Sequence, residues 1–409
     1  MARRPAATFS SSSGLMATLV CAVGAAALVA ACDDDASVAA PDAHAEADAS
    51  SPDAPLDDAM EGGDAALPSY DWNLPPGFPV PIVPPDNPMR PEKVALGRRL
   101  FYDKRLSKNE TQSCASCHRQ ELAFTDGLAH GVGSTGAEHP RSSMSLANVA
   151  YAPSLTWANP LLLTLERQAQ VPLFGEDPVE LGHTSTPEVE ARLAAEPIYV
   201  ELFSKAFPGE AAPINLANAL KALASFQRTL ISGRSPFDRW TRDGDETALS
   251  DSAKRGSALF QSEKFECFHC HGAPLFTDHA TWVGKPFTDR PYHNTGLYNV
   301  DGAGAYPSPN TGVEAISKDP RDMGRFKAPS LRNIAVTAPY MHDGSIATLE
   351  EVLDHYVAGG RASSPLKDPI IVPLTVTAEE RADLIEFLKS LTDQEFLTNP
   401  AFSNPWTRP

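Results

Sequence analysis

Two pentapeptides constrain this 409-residue chain more than anything else in it: Cys114-Ala115-Ser116-Cys117-His118 and Cys267-Phe268-His269-Cys270-His271. Two thiols three residues apart can each add to one vinyl group of a porphyrin, while the adjacent histidine gives its imidazole to the iron. Each pentapeptide therefore reads as a c-type haem attachment site, with His118 and His271 as the proximal iron ligands. A zinc site or a dithiol redox pair is the competing reading. Zinc would need the two motifs to meet, and each would then carry a superfluous histidine.

The remaining cysteines point to export. Arg3 and Arg4 precede an apolar run from Gly14 to Ala31 that ends in small residues, which reads as a signal sequence over residues 1–31. A retained spanning helix is the alternative, at the lower limit of length for crossing a bilayer. Val29-Ala30-Ala31-Cys32 resembles a bacterial lipobox, so Cys32 is expected to become the first residue of the mature protein, thioether-linked to lipid. Of six cysteines, Cys21 lies in the signal and Cys32 carries lipid, so four remain, all of them in the haem motifs. No disulfide framework is left for an exported protein, and packing around bound cofactor must hold the fold.

Residues 32–68 read as a disordered tether of Ala, Asp, Pro and Ser. Residues 33–64 hold 11 acidic side chains and no Lys or Arg, which leaves −9 of the net charge of −18 for the rest once Arg3 and Arg4 are counted. An acidic chain without a basic, aromatic-interleaved stretch excludes nucleic acid as a partner.

An internal repeat organises the remainder. Gly97, Leu100 and Phe101 precede the first motif and Phe124-Thr125-Asp126 follow it; Gly256, Leu259 and Phe260 precede the second and Phe276-Thr277-Asp278 follow it. Two copies of one module are expected, each motif following a helix marked by Val94, Gly97 and Phe101 or by Ala253, Gly256 and Phe260. Leu74 to Pro91 is a Pro-rich approach without regular structure. Leu216, Leu220, Leu223, Phe226 and Leu230 predict an amphipathic helix that stops at Ser232-Gly233. A boundary between domains of residues 69–240 and 241–409 is expected within residues 234–247. Long loops rich in Gly, Pro and Asn follow the second motif, and capping boxes at Thr348-x-x-Glu351 and Thr377-x-x-Glu380 open two final helices. The fold is expected to be mainly α.

An open sixth position on haem iron binds peroxide, whereas a filled one favours electron transfer. His130 and His139 are the nearby candidates at the first haem, although either also suits a surface or propionate-contacting role. On the last-but-one helix Tyr356 lies on the apolar face of Leu349, Val352 and Leu353, where the pattern alone reads it as core.

Residues 90–395 resemble the bacterial di-haem cytochrome c peroxidase superfamily. The resemblance is carried by Phe124-Thr125-Asp126-Gly127, by Pro140-Arg141, by Phe326-Lys327-Ala328-Pro329-Ser330-Leu331-Arg332-Asn333 and by Thr337-Ala338-Pro339-Tyr340-Met341-His342-Asp343-Gly344. It implies two cytochrome c-like domains in tandem, each with one covalent haem c. It also implies a tryptophan between the haems at Trp157, and a distal glutamine and glutamate at Gln168 and Glu180, with Glu180 as the acid–base group for bound peroxide.

The superfamily's peroxidases place a methionine on the second iron 14 residues after the histidine of Pro-Tyr-x-His, and here that position is Tyr356. A tyrosine there looks like the MauG branch, because an anionic oxygen donor stabilises high-valent iron better than a thioether. Two oxidising equivalents would then be stored as a pair of ferryl-level haems. Leu155-Thr156-Trp157-Ala158-Asn159-Pro160, Phe174-Gly175-Glu176 and Asp354-His355-Tyr356 resemble most closely the MbnH group of methanobactin operons, whose members convert a tryptophan of a partner protein to kynurenine. The peroxidases' distal histidine, 16 residues after His118, falls on Ser134, which implies an open first haem. Thr337 and Pro339 match backbone ligands of an interdomain calcium ion, but Ser142 stands where the family has asparagine.

The expected function is thus a periplasmic oxidase, lipid-anchored to the inner or outer membrane of a Gram-negative bacterium, that uses hydrogen peroxide to oxidise a tryptophan of a small exported protein. One alternative is a detoxifying di-haem peroxidase fed by a small cytochrome c or a cupredoxin. The other is a lipid-tethered electron carrier. The membrane enters only through the lipid.

Overall fold

Helices dominate the computed structural model, which describes residues 70–361 and 363–406. The signal sequence, Cys32 and the tether expected at residues 1–68 lie outside the described residues. In chain order the main helices are α1 (Pro91–Phe101), α2 (Cys114–Cys117), α3 (Leu216–Arg228), α4 (Asp251–Phe260), α5 (Cys267–Cys270), α6 (Leu349–Val357) and α7 (Ala378–Ser390). Strand pairing among the described residues is limited to isolated bridges. No described helix is long and apolar enough to cross a membrane.

The sequence repeat is a structural repeat. Gly97 of α1 packs against Ala222 and Phe226 of α3, and Gly256 of α4 packs against Asp383 and Phe387 of α7. Phe101 meets Phe226 at 5.2 Å and Phe124 at 6.0 Å; Phe260 meets Phe387 at 5.0 Å and Phe276 at 6.1 Å. In each copy, then, one crossing of two helices and three aromatic rings form a wall beside the Cys-x-x-Cys-His turn. Three of these four pairs are edge-to-face and the Phe260–Phe387 pair is tilted, and edge-to-face rings at such separations add stabilisation beyond the area they bury.

Caps start these helices where the side-chain chemistry predicts. Asn215 accepts from the Asn218 amide at 2.9 Å to start α3, and Ser250 accepts from Ala253 at 3.1 Å to start α4. The boxes at Thr348/Glu351 and Thr377/Glu380 both form, opening α6 and α7.

The end of α3 differs from the expectation. It stops at Arg228, before Leu230, although Leu230 is fully buried. Asn148 donates its amide N–H to the Leu230 carbonyl at 2.8 Å and pairs in both directions with Ser232, while Asp393 accepts from the amides of Gly233 and Arg234 at 2.9 Å. These partners draw the backbone out of the helix, and the apolar pattern continues past its end because Leu230 stays in the core.

Two large hydrophobic clusters dominate the described residues. The first gathers Leu96, Leu100, Phe124, Leu173, Tyr199, Phe203 and Phe226, and it also takes Phe396 and Leu397 from the end of the chain. The second gathers Phe237, Phe260, Phe276, Leu353 and Phe387, and takes Ala158 from the earlier part.

Candidate haem sites and the cavity between them

Ser113 and Ser116 cap the α2 turn reciprocally, which presents Cys114 and Cys117 on one short helical turn and places His118 at its end. Burial pushes the Cys114 thiol up to about 12 and the Cys117 thiol up to about 11. His118 donates Nδ1–H to the carbonyl oxygen of Phe124 at 2.7 Å. In the second copy His271 donates Nδ1–H to the Phe276 carbonyl at 3.1 Å, and burial pushes the Cys267 thiol up to about 12. Phe124 and Phe276 hold positive φ of 63° and 52°, a conformation uncommon for non-glycine residues. The repeated Phe-Thr-Asp segments thus supply the carbonyl that fixes each histidine's tautomer.

With Nδ1 occupied, each Nε2 keeps its lone pair, and burial lowers the basicity of both imidazoles. Two thiols and one ligating nitrogen fit a covalent haem c in each copy.

Glu180 is half-buried, and burial raises its carboxyl above the ordinary range. It lies near enough to Cys114 and Cys117 to act on both thiols. Ser134 donates its backbone N–H to the Glu180 carbonyl oxygen at 2.7 Å. Gln168 ends the short helix Leu165–Gln168 with its side chain half-buried, and no side-chain hydrogen bond joins it to Glu180 among the described residues. His130 is exposed beside Glu138, and His139 accepts from the Arg141 amide at 3.1 Å. Neither contact places an imidazole at the first motif.

Tyr356, on α6, is half-buried; burial first, then the nearby Cys270 and Cys267, push its phenol up. The phenol of Tyr356 therefore lies within electrostatic reach of the second haem motif, as Glu180 lies within reach of the first.

Trp157 donates Nε1–H to the carbonyl oxygen of Ser142 at 2.9 Å, and its own carbonyl accepts from the Lys327 amide at 3.0 Å. Trp157 lines a cavity of about 120 Å³ together with Ser142, Thr337, Pro339, His279 and Lys327. The Ser142 hydroxyl donates to the Met341 carbonyl at 3.2 Å. The structure therefore gathers Trp157 and the three residues singled out for calcium around one space.

Lys327 and His279 share that cavity, although neither stands out in the sequence as a site residue. Burial lowers Lys327 to about 8 and His279 to about 4. Lys327 sits inside the Phe326–Asn333 motif. His279 directly follows Phe276-Thr277-Asp278 where the first copy has Gly127.

A family description of di-haem cytochrome c peroxidases matches residues 91–247. The methylamine utilization protein MauG of Methylorubrum extorquens is 40% identical over 310 residues, 75% of this chain and 80% of MauG. The chain belongs to the di-haem cytochrome c peroxidase family. Another relative, the cytochrome-c peroxidase IdrP1 of Pseudomonas sp. strain SCT, is 39% identical over 79% of this chain and 86% of its own length. A solved MauG-like protein associated with microbial copper homeostasis is 50% identical, with a TM-score of 0.81 over 83% of this chain and 100% of that one. As a di-haem peroxidase-type protein the chain is an oxidoreductase, and membership implies two haem c groups.

Proposed function

We propose that this di-haem peroxidase uses hydrogen peroxide to oxidise a tryptophan of a partner protein, with kynurenine as the product. The observation that carries the proposal is the phenol of Tyr356 beside Cys267 and Cys270, where the family's peroxidases offer a thioether. The likeness to MauG and to the MauG-like structure supports it.

The proposed first domain, residues 69–240, holds one haem through Cys114, Cys117 and His118; the second, residues 241–409, holds the other through Cys267, Cys270, His271 and Tyr356. Bound there, the two haems would supply the redox chemistry for hydrogen peroxide. The protein's own groups do the rest. Glu180, with its carboxyl raised by burial, stays protonated further up the pH scale and gives that proton to the departing oxygen. Gln168 completes the distal side, and the Ser134 main chain anchors the segment that aims Glu180. Trp157, its indole N–H tied to Ser142, couples the two sites. Calcium, bound by the backbone oxygens of Thr337 and Pro339, would stiffen the wall that holds Ser142. The enzyme is proposed to be exported to the periplasm and held to a membrane through lipid on Cys32.

Co-expression with a small exported, tryptophan-bearing protein encoded next to it tests the proposal by mass spectrometry of that protein. A kynurenine in place of tryptophan is expected. Sustained peroxide turnover with reduced cytochrome c and an unmodified neighbour would favour the detoxifying peroxidase.

A further inference from the structure

His279 is 3% exposed, and its two ring nitrogens have different partners. Nδ1 lies 3.1 Å from the carbonyl oxygen of Pro291, which can only accept, so Nδ1 carries the proton. Burial keeps this imidazole neutral, with Lys327 adding to the effect against the opposing pull of the Pro291 carbonyl, Asp278 and the Ser154 backbone. Nε2 then holds a lone pair. The Ser154 hydroxyl, 2.8 Å from Nε2, donates to it, and the Tyr292 hydroxyl, 2.7 Å from Ser154 Oγ, donates to Ser154. A carbonyl at the far end thus sets the direction of the whole chain: Tyr292 to Ser154 to His279.

Its position gives the chain a use. Tyr292 is half-buried, whereas Ser154 is 0% exposed. The neighbouring His293 pairs its backbone with Phe326 in both directions, at 2.7 and 2.9 Å, and Lys327 donates to the Trp157 carbonyl at 3.0 Å. The segments carrying Tyr292 and Trp157 are therefore both hydrogen-bonded to the short stretch Phe326–Lys327. His279 lines the same cavity as Trp157.

We propose that Tyr292 is a redox station that carries oxidising equivalents from Trp157 and the haems toward the protein surface, with Ser154 and His279 taking up its proton. This rests on the function proposed above. One electron leaves Tyr292 for the centre oxidised by hydrogen peroxide, which is reduced by one electron. The phenolic proton passes to Ser154 Oγ as the Ser154 hydroxyl proton passes to His279 Nε2, leaving a neutral tyrosyl radical and an imidazolium. An electron from the partner's tryptophan then restores the phenol, and both protons return. Two such passes deliver the two electrons that reduction of one peroxide consumes. The hydrogen-bond direction gives the phenolic proton a neutral imidazole to go to, and that is what makes the station work.

The test is freeze-quench electron paramagnetic resonance on the full-length, haem-loaded enzyme mixed with equimolar hydrogen peroxide in the absence of partner. The parent should develop a tyrosyl signal that Tyr292→Phe lacks. Ser154→Ala, which keeps the phenol and removes only the relay, should form the signal at least tenfold more slowly and lose most of the solvent deuterium isotope effect. Haem bands that respond to peroxide without a tyrosyl signal, an unchanged signal in Tyr292→Phe, or an unchanged rate in Ser154→Ala would overturn the relay and leave the proposed function standing. Haem bands that do not respond to peroxide would overturn both.

Discussion

Gly97 stands so close to Ala222 that a β-carbon on it would lie 1.9 Å from the Ala222 carbonyl oxygen. Gly256 stands in the same relation to the Asp383 carbonyl, also at 1.9 Å. The obstacle in both is helix backbone, which has no rotamer to retreat into. Gly97→Ala and Gly256→Ala should each destabilise the holoprotein by about 3 kcal/mol in urea unfolding. Gly272, where an added β-carbon meets only the Phe268 carbonyl at 3.4 Å, should accept alanine with little change.

A buried ion pair offers a second stability test. Arg332 donates to Asp238 through two hydrogen bonds of 2.7 and 2.8 Å, with both residues at most 3% exposed. Burial works to raise the Asp238 carboxyl, but the Arg332 hydrogen bonds and charge overcome it and leave the group below its usual value. A depressed carboxyl contributes stability that is present above its unfolded pKa and is lost as pH falls through its folded value. Asp238→Ala should therefore cost about 3–5 kcal/mol at pH 7, because it strands the guanidinium. The gap between variant and parent, followed by thermal unfolding, should narrow in acid.

Glu180 predicts the opposite pH behaviour. Its carboxyl is raised, so the folded state binds its proton more tightly than the unfolded chain does. That stabilisation is complete below the unfolded pKa and fades as pH rises through the folded one. Glu180→Gln should thus unfold at a higher temperature than the parent at neutral pH, with the difference closing toward pH 4. Its rate of reaction with peroxide should fall about 10²–10⁴-fold, the usual weight of a positioned acid–base group.

The repeat was legible because it is local: Gly97 and Gly256, Phe101 and Phe260, and Phe124 and Phe276 recur at matching distances from a motif whose chemistry is unmistakable. Capped helix starts were legible for the same reason, since Thr348 and Glu351 need only each other. The end of α3 was not, because its determinants are Asn148 and Asp393, which lie far away in sequence. Tyr356 reads as one more apolar-face residue by periodicity; its count from His342, through the family resemblance, singled it out, and Cys270 and Cys267 lie near enough to act on its phenol. His279 left a trace in the difference between the two copies, where Gly127 stands in the first. Its partners Ser154 and Tyr292 left none, since the hydrogen bonds that orient them depend on the folded chain.

In the proposed function Tyr356 lets the two sites hold both oxidising equivalents of one peroxide. Stoichiometric titration of the ferric, haem-loaded enzyme with hydrogen peroxide, followed in the haem absorbance bands for the parent and Tyr356→Met, tests this most directly. The parent is expected to accumulate a doubly oxidised state, and Tyr356→Met to keep both haems attached but fail to accumulate it. A parent whose resting spectrum shows two six-coordinate haems, one with a methionine thioether band, or a Tyr356→Met enzyme that accumulates the doubly oxidised state unchanged, would contradict it.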